Sequence, residues 1–166
     1  MSDASVLRVA GLDAATITGL LARLPAFSGL DDAERAAVAA IARVEQVPAG
    51  TTLFRESEPA DDLRFLLDGH LTLGMRFGGR GEVIVLSLGP GDIVGWTALL
   101  GGTWTATARA VAPSTLLRLS GAELAALCER DHDIGYALTR RLFAAVALRL
   151  HDTRLQLLDM FAREAR

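Results

Sequence analysis

Turn signals recur about every ten residues between positions 47 and 119 of this sequence. They are clusters of Gly, Pro and Asp at residues 48–50, 58–62, 68–69, 78–81, 89–92 and 101–102. Short apolar or alternating runs lie between them, at residues 63–67, 71–77, 82–88, 105–111 and 115–119. Short runs with such regular turns predict an antiparallel all-β unit, a sandwich or a roll. Parallel strands are excluded, because these connections are too short for crossovers.

The segment before residue 47 has the three- and four-residue apolar spacing of helices. Asp13 is a suitable N-cap for a first helix. Ser28 and Asp31 resemble the cap of a second helix, whose apolar stripe runs from Leu30 to Ala42. We therefore expect two helices ahead of the β unit.

The segment after residue 119 is predicted to be helical again. Ser120 and Glu123 form the pattern of a capping box. Asp133 is expected to cap the last helix, from Ile134 to about Arg163. A helix of that length, roughly 45 Å at about 1.5 Å per residue, extends beyond a small barrel, so part of it needs another surface to cover it.

That last helix has the heptad spacing of a two-helix coiled coil. Alternating spacings of three and four residues define the predicted dimer seam, Phe143, Val146, Leu150, Thr153, Leu157 and Met160. A second stripe lies on another face, at Leu148, His151, Leu155 and Leu158. Two alternatives remain: both stripes pack within one monomer, or one packs on the barrel while the seam forms a homodimer, which we favour.

Composition excludes several classes of protein. The chain has 166 residues, of which 51% are hydrophobic and 22% are charged. These values suit one globular domain. With Cys128 alone the chain has no disulfide framework, and no apolar run approaches the ~20 residues of a membrane span. The first twelve residues lack the features of a secretion signal, so a cytoplasmic location and no membrane partner are expected.

The basic residues do not form the dense patch typical of a duplex-binding surface. All 17 are Arg, and residues 137–166 carry six Arg against three acids, which is more typical of a solvated helix face.

Residues 47–71, VPAGTTLFRESEPADDLRFLLDGHL, resemble the opening of the cyclic nucleotide-binding domain of catabolite-activator-type regulators, kinase regulatory subunits and gated channels. Gly50, Phe54, the acidic turn 58–62 and Gly69 stand where that family has a Gly, a Phe-bearing strand, an acidic turn and an almost fixed Gly. Residues 88–95 (LGPGDIVG) and 105–111 (TATARAV) match the stretches that enter and leave the family's ligand cassette. The resemblance is to the catabolite-activator and fumarate-nitrate-regulator type, and it extends from about residue 27 to residue 161.

The resemblance implies an α+β, mainly β fold: an eight-stranded antiparallel, jelly-roll-like β-roll, flanked by N-terminal helices and a long C-terminal dimerisation helix. The expected segments are an N-terminal helical segment (1–26), the roll with its flanking helices (27–130) and the long helix (131–166). Regulators of this type carry a helix-turn-helix domain after that helix. Only residues 162–166 follow here, so we expect a stand-alone module that does not bind DNA by itself.

The segment 95–106, called the cassette below, departs from the family pattern. Family members bind the ribose 2′-hydroxyl with the Glu of a Gly-Glu pair and the phosphate with the Arg of an Arg-Ser/Thr-Ala triplet. These residues map onto Gly95-Trp96 and Trp104-Thr105-Ala106, with Thr97 next in the cassette. Both charged residues are therefore Trp, and losing the Arg predicts weak binding of cyclic AMP or cyclic GMP in the usual pose.

Three interpretations of the two indoles remain open. Trp96 and Trp104 fill the vacated pocket of a ligand-free scaffold that docks to another protein, or they line an apolar site for a different small molecule. In the third, a cyclic nucleotide still binds, with Arg154 as the replacement cation. By the resemblance, Thr153 and Arg154 lie where the long helix reaches towards the ligand, although a lone polar Thr153 in the seam is equally typical of a residue that sets register.

The predicted function is that of a regulatory or sensor module without catalytic activity. No catalytic residue and no metal site is expected, since the three His do not form the pairs that barrel metalloenzymes use. No cofactor is expected other than a cyclic nucleotide or another small ligand, and the expected partners are a second copy of the chain and an unidentified small molecule.

Overall fold

The computed structural model describes residues 7–8, 12–79 and 81–164. The helices are α1 (Ala14–Arg23), α2 (Asp32–Ile41), α3 (Gly121–Arg130) and α4 (His132–Glu164), with short 3₁₀-helices at Pro25–Phe27 and Trp96–Leu100. The strands are β1 (Leu7–Arg8), β2 (Ala42–Val47), β3 (Thr52–Phe54), β4 (Asp62–Asp68), β5 (Leu71–Arg76), β6 (Glu82–Leu88), β7 (Ile93–Val94), β8 (Thr107–Ala110) and β9 (Ser114–Ser120).

The strands form two antiparallel sheets. One has the order β1-β2-β9-β4-β7 and the other has the order β3-β8-β5-β6. The eight strands β2 to β9 confirm the predicted antiparallel roll, and the two-residue β1 pairs with β2 at the edge of the first sheet.

The first sheet contributes to two hydrophobic cores because successive residues of a strand point to opposite faces. Leu117 and Leu119 of β9 and Phe65 of β4 pack under the helices, against residues such as Leu21 and Phe27. Leu116 of β9 and Leu66 of β4 instead enter the interior of the roll, with Phe54, Leu71, Leu88, Val94, Trp104 and Ala108. The cassette side chains that point inward therefore meet a closed apolar core.

The turn from β4 to β5 requires a glycine. Gly69 has a φ of +96°, and a Cβ built on it would lie 2.5 Å from the carbonyl oxygen of Pro113. The positive φ and the close approach of another backbone both exclude a side chain.

The end of the second helix differs from the sequence prediction. The helical stripe was expected to include Ala42, but α2 ends at Ile41 and Ala42 begins β2. No Gly or Pro marks this junction. The change from helix to strand is imposed by strand pairing, since β2 is in register with β9 from Ala42 opposite Leu119 to Val47 opposite Ser114.

Side-chain caps fix the starts of three helices. Asp13 Oδ1 accepts from the Thr16 amide at 2.7 Å, as predicted. Asp31 and Glu34 form a reciprocal capping box on α2. At the start of α3, Ser120 Oγ accepts from the Glu123 amide at 3.5 Å.

The long helix starts earlier than expected and has a different cap. Asp131, and not Asp133, accepts from the Ile134 amide, at 3.2 Å, and α4 already begins at His132. Its first turns are buried through Ile134, Leu138 and Leu142. All side chains from 150 to 158 are exposed, so the second half of α4 leaves the core of its own chain.

Candidate functional site

The cassette begins where the chain turns sharply out of β7. Gly95 has a φ of +86° and precedes the 3₁₀-helix Trp96–Leu100, which ends at Gly101 with a φ of +66°. The chain then passes through Trp104 and enters β8. This short helix lies within the segment predicted as the cassette.

Trp104 lies in the interior of the roll. Its indole stacks on the Phe54 ring, with centroids 3.8 Å apart and planes 14° apart. The Trp104 backbone is held on both sides: its amide donates to the Glu58 carbonyl at 2.9 Å, and its carbonyl accepts from the Ser57 amide at 2.8 Å. Trp104 is only 5% exposed, so the indole is part of the closed core of the roll.

A buried network of charges lies beside the stacked rings. The Arg64 guanidinium carbon is 5.8 Å from the Phe54 centroid and 5.9 Å from the Trp104 centroid. Both distances are within the range of a cation–π interaction. Arg64 and Arg118 pair with Asp62 at 3.2 and 2.8 Å, and with Glu45 at 3.7 and 3.6 Å. Burial lowers the pKa of Arg64, while Asp62 and Glu45 act in the opposite direction and keep the guanidinium charged.

The space left in the cassette is small. A cavity of about 30 Å³, called the cassette cavity below, is bordered by all six predicted cassette residues, Gly95, Trp96, Thr97, Trp104, Thr105 and Ala106. This is room for one or two water molecules. That volume is far below the roughly 300 Å³ at which small-molecule pockets typically begin.

A second and larger space lies between α4 and the edge of the roll. This cleft has a volume of about 500 Å³ and is lined by β6, β7, Trp96 and residues 141–156 of α4. Trp96 is half-buried and borders both the cleft and the cassette cavity. Trp96 is thus a boundary residue of both spaces.

The two polar residues predicted on the long helix are separated. Thr153 lines the cleft, and its hydroxyl donates to the Arg149 carbonyl at 2.9 Å. Arg154 is exposed and lines neither the cleft nor the cassette cavity.

Arg149 is a site residue that the sequence reasoning missed. Its Nη1 donates to the Ile93 carbonyl at 3.2 Å, and its Nη2 lies 3.5 Å from a carboxylate oxygen of Asp92. It borders both the cleft and the cassette cavity. The only sequence signal was its position five residues before Arg154 on the same helix, which places the two side chains about 140° apart around the axis.

The predicted dimer seam is uncovered along most of its length. Phe143, Leu150 and Leu157 are exposed, while Val146 and Thr153 border the cleft. The side chain of Met160 lies outside the part of the chain that the structure describes. Tyr136, seven residues before Phe143 and also exposed, extends the same column by a further heptad.

The part of the chain described by the structure has no helix that is long and apolar enough to cross a membrane.

Comparison with known proteins identifies the same fold in related chains. A putative potassium channel protein of Rhodopseudomonas palustris is 33% identical over 116 residues, which cover 69% of this chain and 28% of the channel protein. The N-terminal domain of a transcriptional regulator from Streptomyces coelicolor A3(2) is 31% identical, with a TM-score of 0.65 over 83% of this chain and 94% of that one. A cyclic nucleotide-binding domain from Methylobacillus flagellatus has a TM-score of 0.81 at 19% identity, over 94% of this chain and 89% of that one, and supports the fold alone.

The matching relatives differ greatly in length. This chain spans between 20% and 36% of the lengths of three channel proteins that it matches, so their overall activities do not transfer to it directly. The family model described as the cyclic nucleotide-binding domain matches residues 44–131, just over half of the chain. These residues contain strands β3 to β9 of the roll and the cassette, and the chain therefore belongs to the cyclic nucleotide-binding domain family.

Proposed function

We propose that this chain is a non-catalytic regulatory module that dimerises through α4 and does not bind cyclic AMP or cyclic GMP tightly in the usual pose. The observation that carries the proposal is the burial of Trp104 in the cassette, stacked on Phe54, with a residual cavity of about 30 Å³. In this proposal the Trp104 indole replaces the positive charge that would pair with the phosphate of a cyclic nucleotide. It also fills the space that the nucleotide needs.

The absence of the phosphate-binding Arg is expected to weaken the binding of a cyclic nucleotide strongly. Removing one partner of a buried ion pair costs roughly 3–5 kcal/mol, because the remaining charge stays desolvated and unpaired. At about tenfold per 1.4 kcal/mol, such a loss turns a micromolar binder into one weaker than millimolar. Arg149 is better placed than Arg154 to replace the missing cation, but its guanidinium is engaged by Asp92 and the Ile93 carbonyl.

Dimerisation is supported by the exposed column on α4. Tyr136, Phe143, Leu150 and Leu157 repeat every seven residues and are between 48% and 74% exposed. A second copy of α4 packed along this column would bury these side chains in coiled-coil geometry.

Coupling between ligand binding and dimerisation is supported by two residues that belong both to the predicted dimer seam and to the cleft. Val146 and Thr153 lie at predicted seam positions and also border the cleft. A ligand in the cleft favours whichever arrangement of the two α4 helices binds it more tightly. The size of this effect on the equilibrium is set by the difference between its affinities for the two arrangements.

A second candidate function is supported by the other face of α4. Leu155 and Leu158 are 49% and 63% exposed, lie outside the heptad column and do not line the cleft, so a two-helix dimer leaves an apolar face for another protein. In this alternative the module is a docking scaffold, and no small ligand is involved.

The test of the proposed function is calorimetric titration with cyclic AMP and cyclic GMP, together with light scattering. We expect no binding heat at ligand concentrations near one millimolar and a mass twice that of one chain. The Trp104→Arg variant is the matched comparison, since it restores the missing charge and should bind at least about tenfold more tightly. Micromolar binding of cyclic AMP by the unmodified chain would contradict the proposal.

A further inference from the structure

The cleft between α4 and the roll has the size and lining of a ligand-binding site. Its volume is about 500 Å³. Small-molecule pockets typically measure from roughly 300 to roughly 1000 Å³, so the cleft lies within that range. The cassette cavity, by contrast, has room for only one or two water molecules. Of the two spaces beside Trp96, the cleft is therefore the one with room for a small molecule.

The walls of the cleft are mainly apolar. The side chains that line it come from both the roll and α4, and include Leu86, Leu88, Ile93, Trp96, Leu142 and Val146. Contact with such walls favours a ligand whose body is apolar, at roughly 25 cal/mol per Å² of buried apolar surface.

The charged residues around the cleft balance one another. Arg149 lies 3.5 Å from Asp92, and the other two charged lining residues, Arg141 and Asp152, also have opposite signs. Ser87, Thr153 and Gln156 add uncharged hydrogen-bonding groups. A ligand with a net charge would gain no excess of opposite charge here, and it would lose hydration on entering.

We propose that this cleft binds an uncharged, mainly apolar small molecule that carries a few hydrogen-bonding groups. The inference rests on the proposed function in one respect, that Trp104 has removed the cassette as the ligand site. The ligand contacts Trp96 from the side opposite the cassette cavity, which makes that indole a reporter of binding.

The test uses N-phenyl-1-naphthylamine, an uncharged fluorophore whose emission rises in apolar surroundings. We expect saturable binding of one molecule per chain, accompanied by quenching of tryptophan emission. 1-Anilinonaphthalene-8-sulfonate has the same ring system with an added sulfonate and should bind at least about tenfold more weakly. In Trp96→Phe the probe should still bind, but most of the tryptophan quenching should be lost, because only the buried Trp104 remains.

Two matched variants locate the probe. Ala145 lines the cleft, whereas Ala147 is exposed on α4 and does not line it. Ala145→Phe fills the cleft and should weaken binding at least about tenfold, while Ala147→Phe should leave it unchanged. Ser87→Phe fills the cleft from the opposite wall and serves if Ala145→Phe fails to fold.

The outcomes separate this inference from the proposed function. Absence of saturable binding, equal affinity for the two probes, or equal effects of Ala145→Phe and Ala147→Phe would overturn the cleft as a ligand site. Failure of the proposed function has a different signature, which is micromolar binding heat with cyclic AMP.

Discussion

Gly95 leaves open the space in which the Trp104 indole lies. A Cβ built on Gly95 would come within 2.5 Å of Cζ3 of Trp104 and within 2.5 Å of the Asp62 carbonyl oxygen. The absence of a side chain at Gly95 allows the Trp104 indole to pack against the backbone there.

The first prediction concerns Gly95→Ala. The substitution combines a positive φ with overpacking, and overpacking alone typically costs about 1–3 kcal/mol. Gly101→Ala is the matched control, because Gly101 also has a positive φ but a Cβ there meets nothing within 4 Å. Urea unfolding should give a larger loss of stability for Gly95→Ala, and equal losses would contradict the close packing of Trp104.

The second prediction separates the two indoles. Trp104→Ala removes a buried side chain and its stacking on Phe54, so we expect a loss of about 3–5 kcal/mol in the free energy of unfolding. Trp96 is only half-buried, and Trp96→Ala should cost clearly less. Thermal or urea unfolding of both variants measures the difference. A Trp104→Ala variant as stable as the unmodified chain would argue against the indole as part of the core.

The third prediction compares two leucines with almost the same exposure. Leu157 belongs to the predicted seam and is 48% exposed, whereas Leu155 lies on the other face and is 49% exposed. Leu157→Glu places charges in the seam and should convert the dimer to a monomer at tens of micromolar protein. Leu155→Glu should leave the dimer intact. Light scattering measures the mass of each variant in solution. The same mass for both variants would show that the seam is assigned to the wrong face.

The fourth prediction concerns pH. Hydrogen bonds from Arg109, at 3.0 and 3.1 Å, lower the pKa of Glu82 below its ordinary value. Because the pKa is lowered in the folded chain, the stabilisation is complete above the ordinary pKa and is lost as the pH falls through the lowered one. The pair is partly exposed, so its contribution at neutral pH is at most about 1 kcal/mol.

Glu82→Gln tests this dependence. Its stability deficit relative to the unmodified chain should be present at pH 7 and shrink in acid, as measured by urea unfolding at both pH values. Glu129→Gln, at an exposed position of α3, should have no such pH-dependent deficit. A deficit that is constant from neutral to acid pH would mean that the Glu82–Arg109 pair does not contribute through its charge.

The family and the order of the elements were predictable because they depend on local signals. Turns with Gly, Pro and Asp, alternating apolar residues and caps such as Asp13 act over a few residues. The boundary between α2 and β2 was wrong because nothing local marks it: Ala42 continues the apolar stripe of the helix, but its pairing partner Leu119 lies far along the chain. The roles proposed for the cassette residues and for the seam stay predictions.

The sequence by itself determined that Trp stands at positions 96 and 104 of the predicted cassette, since that is a matter of residue identity. Only the tertiary structure decided which groups surround these indoles. The stacking of Trp104 on Phe54 joins residues far apart in the chain, and the contact of Arg149 with Ile93 depends on which face of α4 turns towards the roll. Helical spacing fixes the angles between side chains of α4 but not the rotation of the helix about its own axis, and that rotation is set by packing against the roll.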